Sequence, residues 1–489
     1  MITALLIVFP LLAGIITWLL KDKKAAWFAF GASILEFLIS VVAFINFSPG
    51  SRAYELNVNW VSQLGISFYI DMDGISILLV MLTTFLVPLI ILTSFIREYK
   101  NSSLFYALIL LMQSALVGVF VAKDAFLFYL FWELALIPIY FIALLWGGEN
   151  RAKITFKFFL YTLFGSLFML IGIIYLYLQT GPDFHTFSID AFYKVRLSPV
   201  EQMWLFWAFF LAFAIKMPIF PFHTWQPDTY SVAPTQGTML LSGIMLKMGV
   251  YGVIRWMMPI VPYAMGANWG GHAAIILSIT GILYASVIAI MQKDYKRLIA
   301  YVSIAHVGLI SAGILTMSFE GLQGGVIQML SHGINVVGLF FIIDIIFQRT
   351  NTRMLSELGG IRSQAPQLAT FFMIILFSSI ALPLTSGFIG EFLLFVGLFN
   401  YSGWLTALSA LSIIFGAVYM LRSFQLSMLG ETSDKTAGFT DVTGLEKAVL
   451  IPITILIFWI GLYPKIFLDI SEPAVVSIID VIKNTYSLK

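Results

Sequence analysis

The chain has 489 residues, of which 60% are hydrophobic and 11% charged, and its net charge is +2. Ordinary soluble domains are about 25% charged, so this composition excludes a soluble globule, and a disordered chain would be poor in apolar residues. No block of basic residues exists, which argues against a nucleic-acid partner. The sequence contains no cysteine, so it cannot hold thiolate-bound iron–sulfur clusters, thiolate zinc sites or disulfides. These features indicate an all-α polytopic membrane protein.

Hydrophobic stretches long enough to cross a bilayer recur along the whole chain. A bilayer core of about 30 Å needs about 20 apolar residues per helix, and the sequence predicts fourteen such spans. They cover 2–20, 25–47, 74–96, 104–122, 125–146, 158–178, 202–217, 234–258, 272–291, 299–318, 322–347, 368–397, 404–427 and 448–468. We therefore expect one transmembrane domain over 1–489, with no separate soluble domain.

The loops carry a charge bias that predicts the orientation. If the N-terminus is outside, the cytoplasmic loops hold sixteen Lys and Arg residues and the outer segments hold seven. Cytoplasmic loops of membrane proteins are enriched in these residues. We expect both termini on the periplasmic side of a bacterial inner membrane.

Apart from Lys465 at the end of the last span, which is counted with the outer segments, eight charged side chains remain inside the predicted spans. Three lie close to helix ends, where we interpret them as snorkelling to the interface; these are Arg255, Asp344 and Arg422. Five lie deeper, where a charge costs about 3 kcal/mol or more; these are Glu36, Glu133, Lys216, Lys247 and Glu391. Five unrelated accidents are improbable, so we predict a path for ions or protons facing the bundle interior. For Glu36 a functional role and a structural one, such as contact with a neighbouring subunit, stay equally open.

Two of the predicted spans are interrupted by proline beside a charged residue. Lys216 precedes Met217-Pro218 in span 7, and Leu382-Pro383 lies shortly before Glu391 in span 12. Such broken helices are typical of transporter sites. Burial disfavours a charged lysine and a nearby carboxylate favours it, so a Glu133–Lys216 pair can load and release a proton.

Two histidines complete the predicted relay. His306 and His332 fall inside spans 10 and 11, at depths similar to those of the lysines. Imidazole exchanges protons near neutral pH, and two histidines without cysteine make a poor metal site. We therefore favour a proton relay and expect no metal.

The positions of the charged residues also suggest an internal repeat. Glu133 and His306 are 173 residues apart, and Lys216 and Glu391 are 175 apart. An offset of five helices reverses direction, so 103–258 and 272–427 would form two inverted five-helix repeats.

At these residues the chain resembles a known family. The stretches Phe131-Trp132-Glu133-Leu134-Ala135-Leu136-Ile137-Pro138 and Ala214-Ile215-Lys216-Met217-Pro218, with Lys247 beyond them, resemble the antiporter-like membrane subunits of respiratory complex I, the NADH-quinone oxidoreductase. One departure is that Thr229-Tyr230-Ser231-Val232 stands before Ala233-Pro234-Thr235, where the family usually has an acidic residue.

The resemblance implies a function and a role for each site residue. Glu133 and Lys216 would be the coupled pair, Lys247 the next station, His306 and His332 the central axis, and Glu391 the distal station. It implies proton translocation driven by redox chemistry elsewhere, with FMN, iron–sulfur clusters, NADH and quinone in partner subunits and no cofactor in this chain. Expected partners are other membrane-arm subunits, including neighbouring antiporter-like ones, and the lipid bilayer.

Three alternatives stay open at this point. A subunit of a multisubunit Mrp-type sodium/proton antiporter would share these motifs without redox input. A membrane subunit of a complex I-related hydrogenase would differ only in its partners. A purely structural membrane spacer would tolerate the loss of Lys216 and Glu133.

Overall fold

The computed structural model describes residues 2–97, 99–181 and 185–487, and it confirms the predicted helical membrane architecture. A helix corresponds to each of the fourteen predicted spans. In chain order they are Ile2–Leu19 (α1), Asp22–Ile45 (α2), Gly74–Ser94 (α3), Ser102–Val121 (α4), Ala125–Trp146 (α5), Arg151–Gln179 (α6), Pro199–Lys216 (α7), Thr235–Met257 (α8), Ala273–Met291 (α9), Tyr295–Ile314 (α10), Phe319–Thr350 (α11), Pro366–Ser379 and Ser386–Tyr401 (α12a and α12b), Gly403–Met428 (α13) and Gly444–Leu462 (α14). An additional helix, Lys465–Ser487 (α15), was not among the predicted spans.

Both predicted breaks are present. Twelve of the helices are long and apolar enough to cross a membrane alone, and α7 and the two halves of α12 are not among them. After α7 the chain turns and forms the short helix Gln226–Val232, whereas α12a and α12b are separated by residues 380–385. The inverted repeat itself stays a prediction.

A small β-hairpin precedes α3 and packs beside the loop between α4 and α5. Its strands, Leu56–Val61 (β1) and Ile66–Ile70 (β2), pair antiparallel, and the amide of Lys123 donates to the carbonyl of Tyr69 at 2.9 Å. Gly65 turns the hairpin with a positive φ of 62°, and a Cβ there would collide with the backbone of His185. The hairpin thus fixes the loop ahead of α3 and the loop ahead of α5 to each other.

The helices divide into a central group and a peripheral group. Every residue of the α8 span is buried, and most residues of α3, α4, α10 and α11 are buried too, whereas fewer than half of the residues of α1, α2, α6, α13 and α14 are. The polar residues of α8, α10 and α11 therefore lie inside the protein, where a charge or hydrogen-bonding group needs a protein or water partner.

Two of the three charges interpreted as snorkelling do not snorkel. Asp344 is 3% exposed and forms an ion pair with Arg97 at 2.9 Å, and Arg255 is buried and paired with Asp73. Only Arg422 is exposed, where it donates to the carbonyl of Ile290. Lys489, counted with the outer basic residues, lies outside the described residues.

Candidate proton-relay site

Lys216 is the last residue of α7, and the break that follows it has a clear cause. Pro218 has no amide hydrogen, so the amide of Ile219 bonds to the carbonyl of Ala214 instead, at 2.8 Å. The carbonyl of Ile215 is thereby released, and the indole N–H of Trp225 donates to it at 2.9 Å. The side chain of Trp225 thus seals the broken end of α7 next to Lys216.

The ammonium of Lys216 is buried and lies over an aromatic ring. Its Nζ has no hydrogen-bond partner among the described residues, and it lies 5.1 Å from the centroid of the Trp132 ring. Cation–π contact with tryptophan stabilises a desolvated cation by about 0.5–2 kcal/mol. Trp132 precedes Glu133 on α5, so this helix supplies both the ring over Lys216 and the carboxylate of the predicted pair.

Glu133 and Lys216 are neighbours but do not form a contact ion pair. The two groups are near enough to interact electrostatically, yet no salt bridge within 4.0 Å joins them in the described part of the chain. One carboxylate oxygen of Glu133 is buried without a hydrogen-bond partner there.

Lys247 and His332 are in direct contact. Lys247 Nζ lies 2.9 Å from His332 Nδ1 and donates to the carbonyl of Ser242 at 2.5 Å. That carbonyl is available because α8 widens locally, so that the amide of Leu246 bonds to Leu241, five residues back, rather than to Ser242. Such π-type turns occur frequently at functional sites.

From His332 the hydrogen-bonded line continues across two more helical segments. Ser303 Oγ, on α10, lies 3.1 Å from His332 Nε2, and the side-chain Nε2 of Gln226 donates to Ser303 Oγ at 3.4 Å. The ring of His306 stands perpendicular to that of His332, with centroids 5.9 Å apart. The structure thus brings Lys247, His332 and His306 together and adds Ser303 and Gln226, which the sequence reasoning missed.

Glu391 lies on α12b, immediately after the second break. It is 6% exposed, and the side-chain amide of Gln328 on α11 donates to its Oε1 at 3.4 Å. No bond among the described residues connects it directly to either histidine. Near the break, hydroxyls link α11 to α12, with Ser386 lying 2.8 Å from Ser331 and 3.1 Å from Ser378.

Glu36 stands apart from this line. It is fully buried on α2, and neither of its carboxylate oxygens has a hydrogen-bond partner among the described residues. Gln113 on α4 is equally buried and likewise has neither amide atom paired in that part of the chain. The functional and the structural role of Glu36 therefore both stay predictions.

The end of α8 that begins at Thr235 carries its own charged cluster. Asp344 accepts from Arg97 at 2.9 Å and from the hydroxyl of Thr235 at 2.6 Å, beside a cleft of about 230 Å³ that Lys296 and Arg353 also line. Close by, Asp228 forms ion pairs with two cations, Lys157 and Arg297. Asp228 thus carries the negative charge in the short helix Gln226–Val232, where the expected additional acid is missing.

Comparison with known sequence families gives two matches, which together cover most of the chain. Residues 122–418 match the family described as NADH:quinone oxidoreductase/Mrp antiporter, TM. Residues 4–119 match the family described as NADH-ubiquinone oxidoreductase chain 4, amino terminus.

Individual relatives agree with these families. The chain is 39% identical to NADH-quinone oxidoreductase subunit M of Rickettsia conorii, over 94% of each chain. It is 36% identical to subunit M of Rhodobacter capsulatus, over 94% of this chain and 91% of the relative. A chain of respiratory complex I from Thermus thermophilus superposes with a TM-score of 0.91 and 29% identity, over 99% of this chain and 100% of the other.

Proposed function

This chain belongs to the NADH:quinone oxidoreductase/Mrp antiporter family, and on that premise we propose that it is the proton-translocating membrane subunit M of a bacterial NADH:quinone oxidoreductase. The observation that carries the proposal is the buried contact of Lys247 with His332, with Lys216 held nearby over Trp132. Neither lysine forms a salt bridge within the described residues. A cation without a fixed counter-ion can lose and regain its proton at lower cost than one locked in an ion pair.

The proton route runs between stations of alternating type. Glu133 and Lys216 form the first pair, Lys247 passes the proton to His332, and His306 continues the line towards Glu391. Water bridges the gaps that the side chains leave. Each station has a lone pair or a proton to exchange, so the route needs no redox centre of its own.

The energy comes from partner subunits. NADH oxidation, FMN, iron–sulfur clusters and quinone reduction belong to those chains, and this chain, which lacks cysteine, has no thiolate to hold a cluster. We assign it to the translocase class as one subunit of the enzyme. A sodium/proton antiporter subunit would purify without flavin or iron–sulfur proteins, so co-purification in mild detergent separates these functions.

Helix α5 presents an exposed apolar stripe against which a neighbouring membrane subunit can pack. Leu130, Ile137 and Phe141 on α5 are all about 40% exposed, and Glu133 lies half-buried at the edge of this stripe. Lipid is a poor environment for a carboxylate. We therefore place a membrane-arm neighbour against this stripe, in an assembly with both termini on the periplasmic side.

The test is NADH-driven proton pumping by the whole complex in sealed vesicles. Lys216→Ala and Glu133→Ala should abolish most of the pumping while the complex still assembles, and Glu133→Asp should retain more because it keeps the carboxylate. Arg422→Gln is the control, since Arg422 is charged but exposed on α13. Normal pumping by Lys216→Ala in an assembled complex would refute the relay and favour a structural spacer.

A further inference from the structure

A second polar line leaves Lys247 in the opposite direction, towards the outer end of α8. Tyr251 lies one helical turn beyond Lys247, a rise of about 6 Å. It is fully buried, and its hydroxyl lies 3.3 Å from the hydroxyl of Ser76 on α3. The relay described above does not use Tyr251 or Ser76.

The line ends in a charged cluster at the outer surface of the bundle. The amide of Ser76 donates to Asp73 at 3.0 Å, because Asp73 caps the start of α3. Arg255, one turn beyond Tyr251, forms an ion pair with the same carboxylate, and Lys123 lies 3.2 Å from it. Hydrogen-bonding groups therefore run from Tyr251 to Asp73 and stop at two cations.

The cluster is built as a barrier rather than as a proton station. Burial alone would raise the pKa of Asp73, but Arg255 and Lys123 hold it well below its usual range, so Asp73 stays ionised and carries no proton. The guanidinium of Arg255 lies 5.8 Å from the Tyr251 ring centroid. Fixed arginine charges of this kind exclude protons from channels.

We propose that Tyr251 and Ser76 form an outward branch of the proton route from Lys247, and that the Asp73–Arg255–Lys123 cluster keeps this branch closed. The inference rests on the proposed function, in which Lys247 carries protons. When the cluster opens, the ammonium of Lys247 releases its proton to the Tyr251 hydroxyl, directly or through water. Tyr251 passes its own proton to Ser76, the excess proton reaches the outer solution, and Lys247 is left neutral for reloading.

Passive proton leak tests this branch without redox turnover. The whole complex is placed in vesicles without NADH, a potassium diffusion potential is applied, and a trapped pH dye reports proton entry. Arg255→Gln removes the nearest fixed charge, so the leak should rise about ten-fold, the order expected from one partly screened charge at this distance. Adding Tyr251→Phe removes the hydroxyl and should return the leak to near the unmodified level.

Tyr193 provides the matched control. Its hydroxyl donates to the carbonyl of Arg255 at 2.7 Å, so Tyr193→Phe also removes a phenol next to Arg255 but not one on the line. In the Arg255→Gln background Tyr193→Phe should leave the leak high. An Arg255→Gln complex that does not leak overturns the proposal, and so does equal suppression by Tyr193→Phe and Tyr251→Phe, which indicates a general loosening.

A gentler variant covers the case in which Arg255→Gln does not assemble. Lys123→Gln removes the second cation at the rim and should give a smaller leak that Tyr251→Phe again suppresses. Its failure to leak overturns the closed branch. NADH-driven pumping by the unmodified complex is measured in the same vesicles, so a failed leak test with normal pumping refutes this inference while leaving the proposed function intact.

Discussion

Replacing Gly390 with alanine tests whether close packing of α12b against α11 positions Glu391. A Cβ at Gly390 would lie 2.8 Å from Cβ and 2.9 Å from Cα of Gln328, well inside van der Waals contact. Because one of these atoms belongs to the backbone, rotating the Gln328 side chain cannot relieve the clash, and the two helices must move apart. Overpacking of this kind costs about 1–3 kcal/mol.

The displaced residue is also the hydrogen-bond donor to Glu391. Moving Gln328 away lengthens its 3.4 Å bond to Glu391, so Gly390→Ala should lower both the melting temperature of the complex and NADH-driven pumping. Gln328→Ala should lower pumping without the steric cost. The comparison of the two variants therefore separates the loss of the donor from the separation of the helices.

Gly31 on α2 supplies the control for glycine replacement in a helix. A Cβ there would meet nothing within 4 Å, so Gly31→Ala should stabilise the complex, by up to about 1 kcal/mol from helix propensity. Thermal unfolding of the purified complex and dye-quench pumping measure both effects. If Gly390→Ala is as stable and as active as Gly31→Ala, the packing argument for Glu391 is wrong.

Three further predictions concern Ser303, Trp132 and Asp124. Ser303→Ala leaves a buried nitrogen of His332 unpaired, at a cost of about 1–3 kcal/mol, so pumping should fall about five-fold or more. Ser303→Thr keeps the hydroxyl and should retain pumping. Equal pumping by the two variants would contradict the role of the hydroxyl. Trp132→Leu removes the ring over Lys216, worth about 0.5–2 kcal/mol, and should reduce pumping more than Trp132→Phe does, so identical rates would exclude the cation–π contact. Burial raises the pKa of Asp124 to about 6, although three backbone N–H groups donate to its carboxylate and oppose the shift. The stability that the protonated carboxyl contributes is therefore complete below about pH 4 and is lost as the pH rises through 6. Asp124→Asn should gain melting temperature relative to the unmodified complex between pH 5 and pH 8, and a difference independent of pH would refute this.

The membrane fold and the charged stations were predictable because both leave a strong signal in the sequence. Runs of about 20 apolar residues define the spans, and charges within them stand out, as Lys216 and Lys247 do. Helix α15 was missed because it is amphipathic: its sequence alternates apolar residues with charged ones such as Lys465, Asp469 and Glu472. Its average composition therefore does not resemble a span.

The connecting groups were not predictable for a different reason. Ser303 and Gln226 are ordinary residues in membrane helices, and only the positions of neighbouring helices show that Ser303 touches His332 and that Gln226 touches Ser303. The free carbonyl of Ser242 depends on a backbone distortion in α8 that no residue type encodes. Arg255 and Asp344 were misinterpreted because distance from a helix end says nothing about an ion-pair partner on another helix.

The buried charged residues fall into two classes, according to the groups that they contact. At both ends of α8 the charges are fixed by direct ion pairs, Arg97 with Asp344 at the end that begins with Thr235 and Arg255 with Asp73 at the other end. Such pairs keep both members ionised, because separating them leaves an uncompensated buried charge.

Between these two ends the pattern reverses. Lys247 contacts an imidazole and a backbone carbonyl, and Lys216 contacts an aromatic ring, so neither has a carboxylate in direct contact. Removing a proton from such a lysine breaks no ion pair, whereas removing one from a paired cation would. Protonation can therefore change in the middle of the membrane while the charges that close each end stay constant, and this is the arrangement that a proton carrier needs if it is not to leak.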